Sequence, residues 1–156
     1  MAFREMRKKE RQMTTEQILE VIQSENYGVL SVLGDGGYPY GVPINYGWSE
    51  GRFYIHHTAA ESHLSDALRQ NPKVCFTITA RHEMDAAILS THFASVVVFG
   101  TARLVTDASE KVDALRRMME HLAPDRVEAA LEHCKTDTNY LMIEITPEHM
   151  TGKCRR

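Results

Sequence analysis

The sequence is poor in the features that mark disulfide-bonded, membrane and disordered proteins. Its 156 residues include only three cysteines, Cys75, Cys134 and Cys154, which are too few and too scattered for a disulfide framework. The longest mainly apolar run, Ala94–Phe99, is far too short to cross a bilayer. Hydrophobic residues make up 43% and charged residues 25%, which is average for soluble globular proteins and excludes a disordered chain. We therefore predict one cytoplasmic domain over residues 1–156, with no membrane contact.

Several common site motifs are absent as well. No Gly-x-Gly-x-x-Gly follows a strand, and there is neither a Walker loop nor a Gly-x-Ser-x-Gly elbow. His56, His57 and His63 form the closest histidine cluster, but neighbouring residues of a strand point to opposite faces, so no metal site is predicted. The N-terminal residues 4–11 are basic, yet no apolar stretch follows them, which argues against a secretory signal.

The charge is unevenly distributed along the chain. The net charge is −3, although residues 1–12 carry +3 and the last four residues carry another +3, which leaves −9 for the middle. An acidic body argues against a nucleic-acid-binding surface. The basic ends are interpreted as solvated termini or as arms that lie on a partner subunit.

Periodicity and capping signals predict four helices and six strands. Thr14 and Gln17 fit a capping box, Asp107 fits an N-cap, and the helices are expected over residues 14–25, 62–70, 107–122 and 125–134. Seven of the nine glycines and five of the six tyrosines lie between Tyr27 and Tyr54, which indicates strands joined by tight turns. The strands are expected over residues 27–33, 38–48, 52–57, 73–79, 95–105 and 139–146, the last ended by Pro147, while residues 80–92 receive no element.

Strands that come as hairpins predict a mainly antiparallel sheet that closes as a barrel, with the helices at its ends and flanks. Two stretches of this sheet have the chemistry of a binding site. Pro43 removes a ladder donor from its strand, which indicates either an edge strand or backbone left free to meet a planar ligand. The stretch His56–His63 runs from a strand end into a helix start, and it could be a phosphate cradle or an ordinary helix capped by Ser62.

The chain resembles the pyridoxamine 5′-phosphate oxidase-related, FMN-binding split-barrel proteins, and within them the nitroimidazole-resistance-type branch. The resemblance covers nearly the whole sequence. It rests on the order and spacing of several stretches: Met6–Arg11, Tyr27–Ser31, Asp35–Tyr46, Gly51–His56, Asn71–Phe76, Ser95–Ala102 and Met150–Lys153.

This resemblance implies a homodimer of six-stranded split barrels with two FMN sites at the subunit interface. The cofactor-binding residues that it implies fall into four groups along the chain. They are Val42, Pro43, Ile44, Asn45 and Tyr46 along the isoalloxazine ring, His56, His57 and Thr58 beside the ribityl chain and phosphate, Ser62, His63 and Leu64 at the helix that receives the phosphate, and Ser95, Val96 and Val97 from the other subunit. Relatives usually carry Lys or Arg where this chain has Leu64, which predicts looser binding of the phosphate.

The function implied by the resemblance is that of an FMN-dependent oxidoreductase that reduces a small organic substrate. A nitroaromatic, a quinone and a cofactor such as F420 or pyridoxamine phosphate all remain open as the substrate. The flavin supplies the redox chemistry and the protein supplies binding and orientation. No carboxylate or cysteine stands out as a catalytic acid, base or nucleophile, and His56, His57 and His63 are the candidates for binding or proton supply. A non-enzymatic flavin- or haem-binding protein is the alternative, because one histidine is enough to ligate haem iron; FAD and haem rank below FMN as cofactors.

Overall fold

The computed structural model describes residues 2–58 and 61–155. Four helices form where the sequence signals predict them: α1 (Thr15–Ser24), α2 (His63–Gln70), α3 (Ala108–Leu122) and α4 (Val127–Thr136). The capping box of α1 is confirmed, since the Thr14 hydroxyl accepts from the Gln17 amide N–H and the Gln17 side chain accepts from the Thr14 N–H. Asp107 caps α3, where its carboxylate accepts from the backbone N–H groups of Ser109 and Glu110 at 3.0 Å. Polar side chains therefore satisfy the free N–H groups at both helix starts.

The sheet has seven strands rather than the six predicted. They are β1 (Tyr27–Leu33), β2 (Pro39–Asn45), β3 (Gly47–Ser49), β4 (Arg52–Thr58), β5 (Lys73–Asp85), β6 (Ser90–Val105) and β7 (Tyr140–Arg155). The segment 38–48, predicted as one strand, is divided at Tyr46. This tyrosine is fully buried, and its backbone N–H donates to the Asn26 carbonyl at 2.9 Å, outside the strand ladder.

Two further strand predictions are wrong in extent. Strand β7 does not end at Pro147 but continues to Arg155, because the register shifts by one residue at this point: Phe99 pairs with His149 and Gly100 pairs with Pro147. The extra residue, Glu148, forms a bulge that tolerates the missing proline N–H. Residues 80–92, left without an element, extend β5 and β6 into a long hairpin.

The strand order is β2-β1-β5-β6-β7-β4-β3, and every neighbouring pair is antiparallel. The two end strands, β2 and β3, follow each other in the chain around Tyr46, so the sheet curls back on itself as a split barrel. Its interior centres on three fully buried aromatic side chains, Tyr46, Phe53 and Phe76, whose rings meet edge to face with centroids 5.3 Å apart. This geometry is favoured by the aromatic quadrupole.

The helices cover the barrel in two groups. Helices α1 and α2 contribute Ile18, Ile22, Leu64 and Leu68 to the barrel core. Helices α3 and α4 build a second apolar cluster against β4 and β7. Where α3 crosses β3, Gly47 leaves room for the helix backbone, since a Cβ there would lie only 2.3 Å from the Met118 Cα.

Candidate functional site

The start of α2 carries a connected set of polar side chains. Ser62 is the N-cap, and its hydroxyl accepts from the Ser65 N–H at 3.1 Å. The His57 Nε2 lies 2.8 Å from the same hydroxyl and so joins the end of β4 to the helix. Ser65 is fully buried, and the Arg69 guanidinium approaches its hydroxyl at 3.4 Å. The capped-helix interpretation of Ser62 is thus confirmed; Ala59 and Ala60, which complete the loop, lie outside the described residues.

His63 does not face this network. Its ring stacks on Tyr40 with centroids 4.1 Å apart, and its Nε2 accepts the backbone N–H of Asp35 at 3.1 Å. The contact is close, because a Cβ on Gly34 would lie 2.9 Å from the same nitrogen. An imidazole that accepts at Nε2 carries its proton on Nδ1. In this arrangement His63 joins the β1–β2 turn to the start of α2.

The other two histidines of the cluster, His56 and His57, lie at the end of β4. His56 stacks on Tyr140 with ring centroids 5.4 Å apart and keeps part of its surface in solvent. Burial lowers the pKa of both His56 and His57 from the ordinary value, and the neighbouring His57 lowers the pKa of His56 further. Thr58, the next residue of the strand, is exposed.

The candidate residues of β2 divide between two faces. Val42 and Ile44 are half-buried against the barrel core, whereas Pro43 and Asn45 are exposed on the outer face. The Tyr46 ring is fully buried, and its hydroxyl donates to the Ile22 carbonyl at 2.8 Å. Within the described part of the chain β2 pairs only with β1, so Pro43 lies on an edge strand as one of the two sequence interpretations predicts.

The third candidate segment lies elsewhere on the same barrel. Val96 is fully buried inside, while the flanking Ser95 and Val97 are half-buried on the outer face. In the sheet, β1 and β5 separate β6 from β2. Neighbouring strands are about 4.8 Å apart, so these residues of one protomer are about 14 Å from β2. A single chain does not bring the two segments onto one planar ligand.

Several exposed apolar side chains lie on the outer barrel face near these segments. Tyr27, Val29 and Leu33 of β1 are 53%, 38% and 50% exposed, and Phe99 of β6 is 40% exposed. Because side chains alternate along a strand, the intervening Leu30 and Val32 face the core. Large apolar patches of this kind mark interaction surfaces.

The charges near the start of α2 are mostly negative. A cavity of about 270 Å³ beside the helix is lined by Asp35, His63, Asp66, Arg69 and Gln70. Arg69 pairs with Asp66 at 2.8 Å, and the Asp35 carboxylate lies 3.8 Å from His63. Leu64 is only 3% exposed and packs in the core.

Sequence reasoning missed a second polar site, a cavity of about 460 Å³ between α3 and the sheet. Glu144 lies within it, its side chain only 12% exposed, and pairs with Arg52 at 3.6 Å and Arg103 at 3.3 Å. Arg117 on α3 pairs with both Glu50 and Asp113 at 2.7 Å. These charges come from distant parts of the sequence and no local spacing links them. Each of these charged side chains already has an ion-pair partner. The pairs therefore help to hold α3 against the sheet.

Two kinds of site are not found among residues 2–58 and 61–155. No three His, Cys, Asp or Glu side chains lie close enough together to hold a metal ion. The helices of this region are also too short or too polar to span a membrane.

Comparison with solved structures gives the same fold at low sequence identity. A candidate 5-nitroimidazole antibiotic resistance protein from Bacteroides thetaiotaomicron VPI-5482 is 23% identical, with a TM-score of 0.74 over 91% of this chain and 85% of the other. The flavocytochrome Anf3 from Azotobacter vinelandii is 22% identical, with a TM-score of 0.79 over 97% and 72%. A FAD-binding protein from Mesorhizobium loti is 20% identical, with a TM-score of 0.67 over 94% and 98%.

Comparison with curated protein sequences gives no significant match. The family model described as pyridoxamine 5′-phosphate oxidase, in contrast, matches residues 14–154, from the N-cap of α1 almost to the end of β7. This range includes every element of the barrel and every candidate site residue. The chain therefore belongs to the pyridoxamine 5′-phosphate oxidase family.

Proposed function

We propose that this protein is an FMN-dependent oxidoreductase that reduces a small organic substrate. The observation that carries the proposal is the family match over residues 14–154. Two of the proteins with the same fold are described as a flavocytochrome and a FAD-binding protein, which supports a flavin as the ligand. When bound, the flavin accepts two electrons from a donor and passes them to the substrate.

The chain offers a suitable place for the flat flavin ring at β2. The exposed edge of this strand carries Pro43, which has no N–H to pair, and Asn45, whose side-chain amide donates to the Asn26 carbonyl at 3.1 Å. That hydrogen bond holds the Asn45 side chain against the strand and leaves its amide oxygen to accept from a ligand. The Tyr46 ring is fully buried and positions the end of this strand from the core.

A second copy of the chain completes this site in our proposal. In this proposed two-fold dimer, the outer face that carries the exposed Val29 and Phe99 meets the same face of the second copy. Such a dimer brings Ser95 and Val97 of one subunit toward β2 of the other, which a single protomer does not achieve. We expect a dimer in light scattering at micromolar concentration, and a monomer would contradict this arrangement.

The purified protein tests the proposed activity through its visible spectrum. We expect two flavin bands, in the blue and the near ultraviolet, either as isolated or after addition of FMN and gel filtration. Reduction should bleach the blue band, and a quinone or a nitroimidazole should restore it faster than it does for free reduced FMN. A protein that stays colourless with FMN present would refute the proposal.

The second candidate is a non-enzymatic flavin- or haem-binding protein. It is favoured by the exposed imidazole of His56, which would supply a ligand to haem iron if haem were bound, and by the fold shared with a flavocytochrome. A sharp Soret band on addition of haemin would support haem binding. Bound flavin that is reduced and reoxidised no faster than free FMN would support a carrier or sensor instead of an enzyme.

A further inference from the structure

A cavity of about 250 Å³ lies between α1 and the sheet, where β5 and β6 extend into their long hairpin. Its lining comes from α1 and the residue before its N-cap, from the base of the hairpin and from the end of β7. Among the residues that the structure describes, none of those lining it is a candidate flavin-binding residue. The cavity is therefore separate from the proposed flavin site, and its ligand need not be a flavin.

The cavity forms because two small side chains lie opposite α1. Ala94 of β6 and Cys154 of β7 are neighbours across the sheet, and both are half-buried. Two residues before Cys154 the helix packs directly on the strand, since a Cβ at Gly152 would lie 2.6 Å from the Ile18 side chain. The helix thus contacts β7 closely at Gly152 and stands away from the sheet at Ala94 and Cys154, which leaves an open cleft.

Part of the cavity wall is apolar. Met13 and Val21 are 7% and 8% exposed, and the Phe93 ring adds to this wall from β6. Sites for small molecules usually combine such a wall with a few polar groups that fix the orientation of the ligand. The volume is below the roughly 300–1,000 Å³ of sites for drug-sized molecules, which limits the ligand to one ring or a short chain.

One positive charge at the cavity has no carboxylate partner among the described residues. Arg155 is half-buried, and its guanidinium contacts the neutral hydroxyl of Ser90. The other arginine of the cavity, Arg81, is already paired with Glu83 at 3.0 Å. A partly buried charge is screened less by salt than an exposed one, and a guanidinium can hold a carboxylate through two parallel hydrogen bonds. Arg155 therefore favours an anion at this end of the cavity.

The cavity also has one carboxylate, on its α1 side. Glu20 is exposed to solvent, so salt and water weaken its repulsion of a bound anion. Lys153 adds a second positive charge on the side of the sheet, where its ammonium lies 5.3 Å from the centroid of the Phe93 ring. The balance of charge at the β7 end is therefore positive.

We propose that this cavity binds a small carboxylate with an apolar body, of the class of aromatic monocarboxylates. The carboxylate pairs with Arg155, and the apolar body packs against Met13, Val21 and Phe93. An uncharged aromatic molecule fits less well, because it leaves the guanidinium without a counter-charge. This is a second binding site of the protein, and it functions whether or not a flavin is bound.

Benzoate, benzamide and benzylamine test this proposal on the full chain, because they share a ring and differ in charge. In protein isotope-labelled at the methionine methyl groups, the NMR signal of Met13, assigned through Met13→Leu, reports a ligand in the cavity. Benzoate should shift this signal with a dissociation constant of about 1 mM, a reasonable affinity for so small a molecule. Benzamide should bind about tenfold more weakly, and benzylamine should leave the signal in place.

Four variants locate the ligand. Arg155→Gln should weaken benzoate binding about tenfold and leave benzamide binding unchanged, since it removes a charge-assisted contact. Arg155→Lys should keep part of the affinity through its charge. Ala94→Leu fills the cavity and should abolish the binding of both molecules. Arg116→Gln is the matched control, because this arginine lies on α3, pairs with Glu128 and should not affect benzoate.

Each contrary result overturns the proposal. If benzoate at up to about 50 mM does not shift the Met13 signal, the cavity holds only water. If benzoate and benzamide bind equally, or if Arg155→Gln has no effect, the guanidinium does not select the ligand. Binding that persists in an Ala94→Leu protein with wild-type thermal unfolding would place the ligand elsewhere. Should Ala94→Leu fail to fold, the comparison of wild type with Arg155→Gln decides alone.

Discussion

The hydroxyl of Tyr46 provides the sharpest test of how the barrel and α1 are joined. Tyr46 is fully buried, and its hydroxyl donates to the Ile22 carbonyl at 2.8 Å. Ile22 lies in the last turn of α1, where carbonyl groups lack partners within the helix. Tyr46→Phe removes the hydrogen bond and leaves a buried carbonyl without it, while the ring and its edge-to-face contacts remain.

The expected loss in unfolding free energy is about 1–2 kcal/mol, the sum of a typical net hydrogen bond and part of the desolvation cost of the orphaned carbonyl. For a domain of this size, each kcal/mol corresponds to roughly 2–4 °C in Tm. Urea unfolding at constant m-value measures the difference directly. Tyr38→Phe, at a tyrosine 77% exposed, is the matched control and should change nothing. A Tyr46→Phe protein within about 0.3 kcal/mol of wild type would refute the reasoning.

Tyr46→Phe should also change how the stability of the protein depends on pH. Burial raises the pKa of the Tyr46 phenol well above its ordinary value, and the charge of Glu25 adds to the shift. Because the pKa of this phenol is higher in the folded state than in the unfolded state, its contribution to stability is fully present below about pH 10. The contribution is lost as the pH rises further. Wild-type stability should therefore fall more steeply above pH 10 than that of Tyr46→Phe. Flavin affinity should be the same in both proteins, since the ring does not reach the ligand side of β2.

Two other predictions follow from packing and titration. Gly47→Ala should lower the unfolding free energy by about 2 kcal/mol or more, because the new Cβ would lie 2.3 Å from the Met118 Cα and α3 must move away. Gly41→Ala, where the nearest atom to a new Cβ is the Val29 side-chain Cγ1 at 3.2 Å, should cost less in urea unfolding. Burial lowers the pKa of His57, so its stabilising contribution is complete above about pH 6.5 and is lost as the pH falls through the folded-state value. His57→Gln should therefore lose less stability than wild type when the pH falls from 7.5 to 5. An equal fall in Tm of the two proteins over this pH range would contradict this account.

Local signals in the sequence predicted the helices well. Thr14, Ser62 and Asp107 each place an oxygen where free backbone N–H groups need an acceptor, and all three are N-caps in the structure. Such interactions span only three residues, so the sequence pattern contains them completely. The ends of the strands were predicted less well, because they depend on contacts with residues far away in the sequence. Pro147 looks like a stop signal in isolation, but a bulge across from Gly100 on another strand makes it tolerable.

The candidate site was predictable only in part. Asn45 and Pro43 are exposed and Ser62 caps its helix, as their residue types suggest. Tyr46 could not be distinguished from its neighbours, because its burial depends on Phe53 and Phe76 from other strands. The Asp35 contact of His63 likewise joins residues 28 positions apart, so spacing within one segment cannot indicate it.

The position of β7 has a consequence for how the chain is made. This last strand lies between β6 and β4, and it pairs with β6 along most of its length and with β4 over residues 140–145. Until residues 140–155 leave the ribosome, the long edge of β6 and the edge of β4 both lack their partner. Unpaired edges of this kind invite intermolecular strand pairing, and non-local strands form slowly. The nascent protein should therefore depend on chaperones until synthesis is finished, and slow translation of the C-terminal codons should favour aggregation over folding.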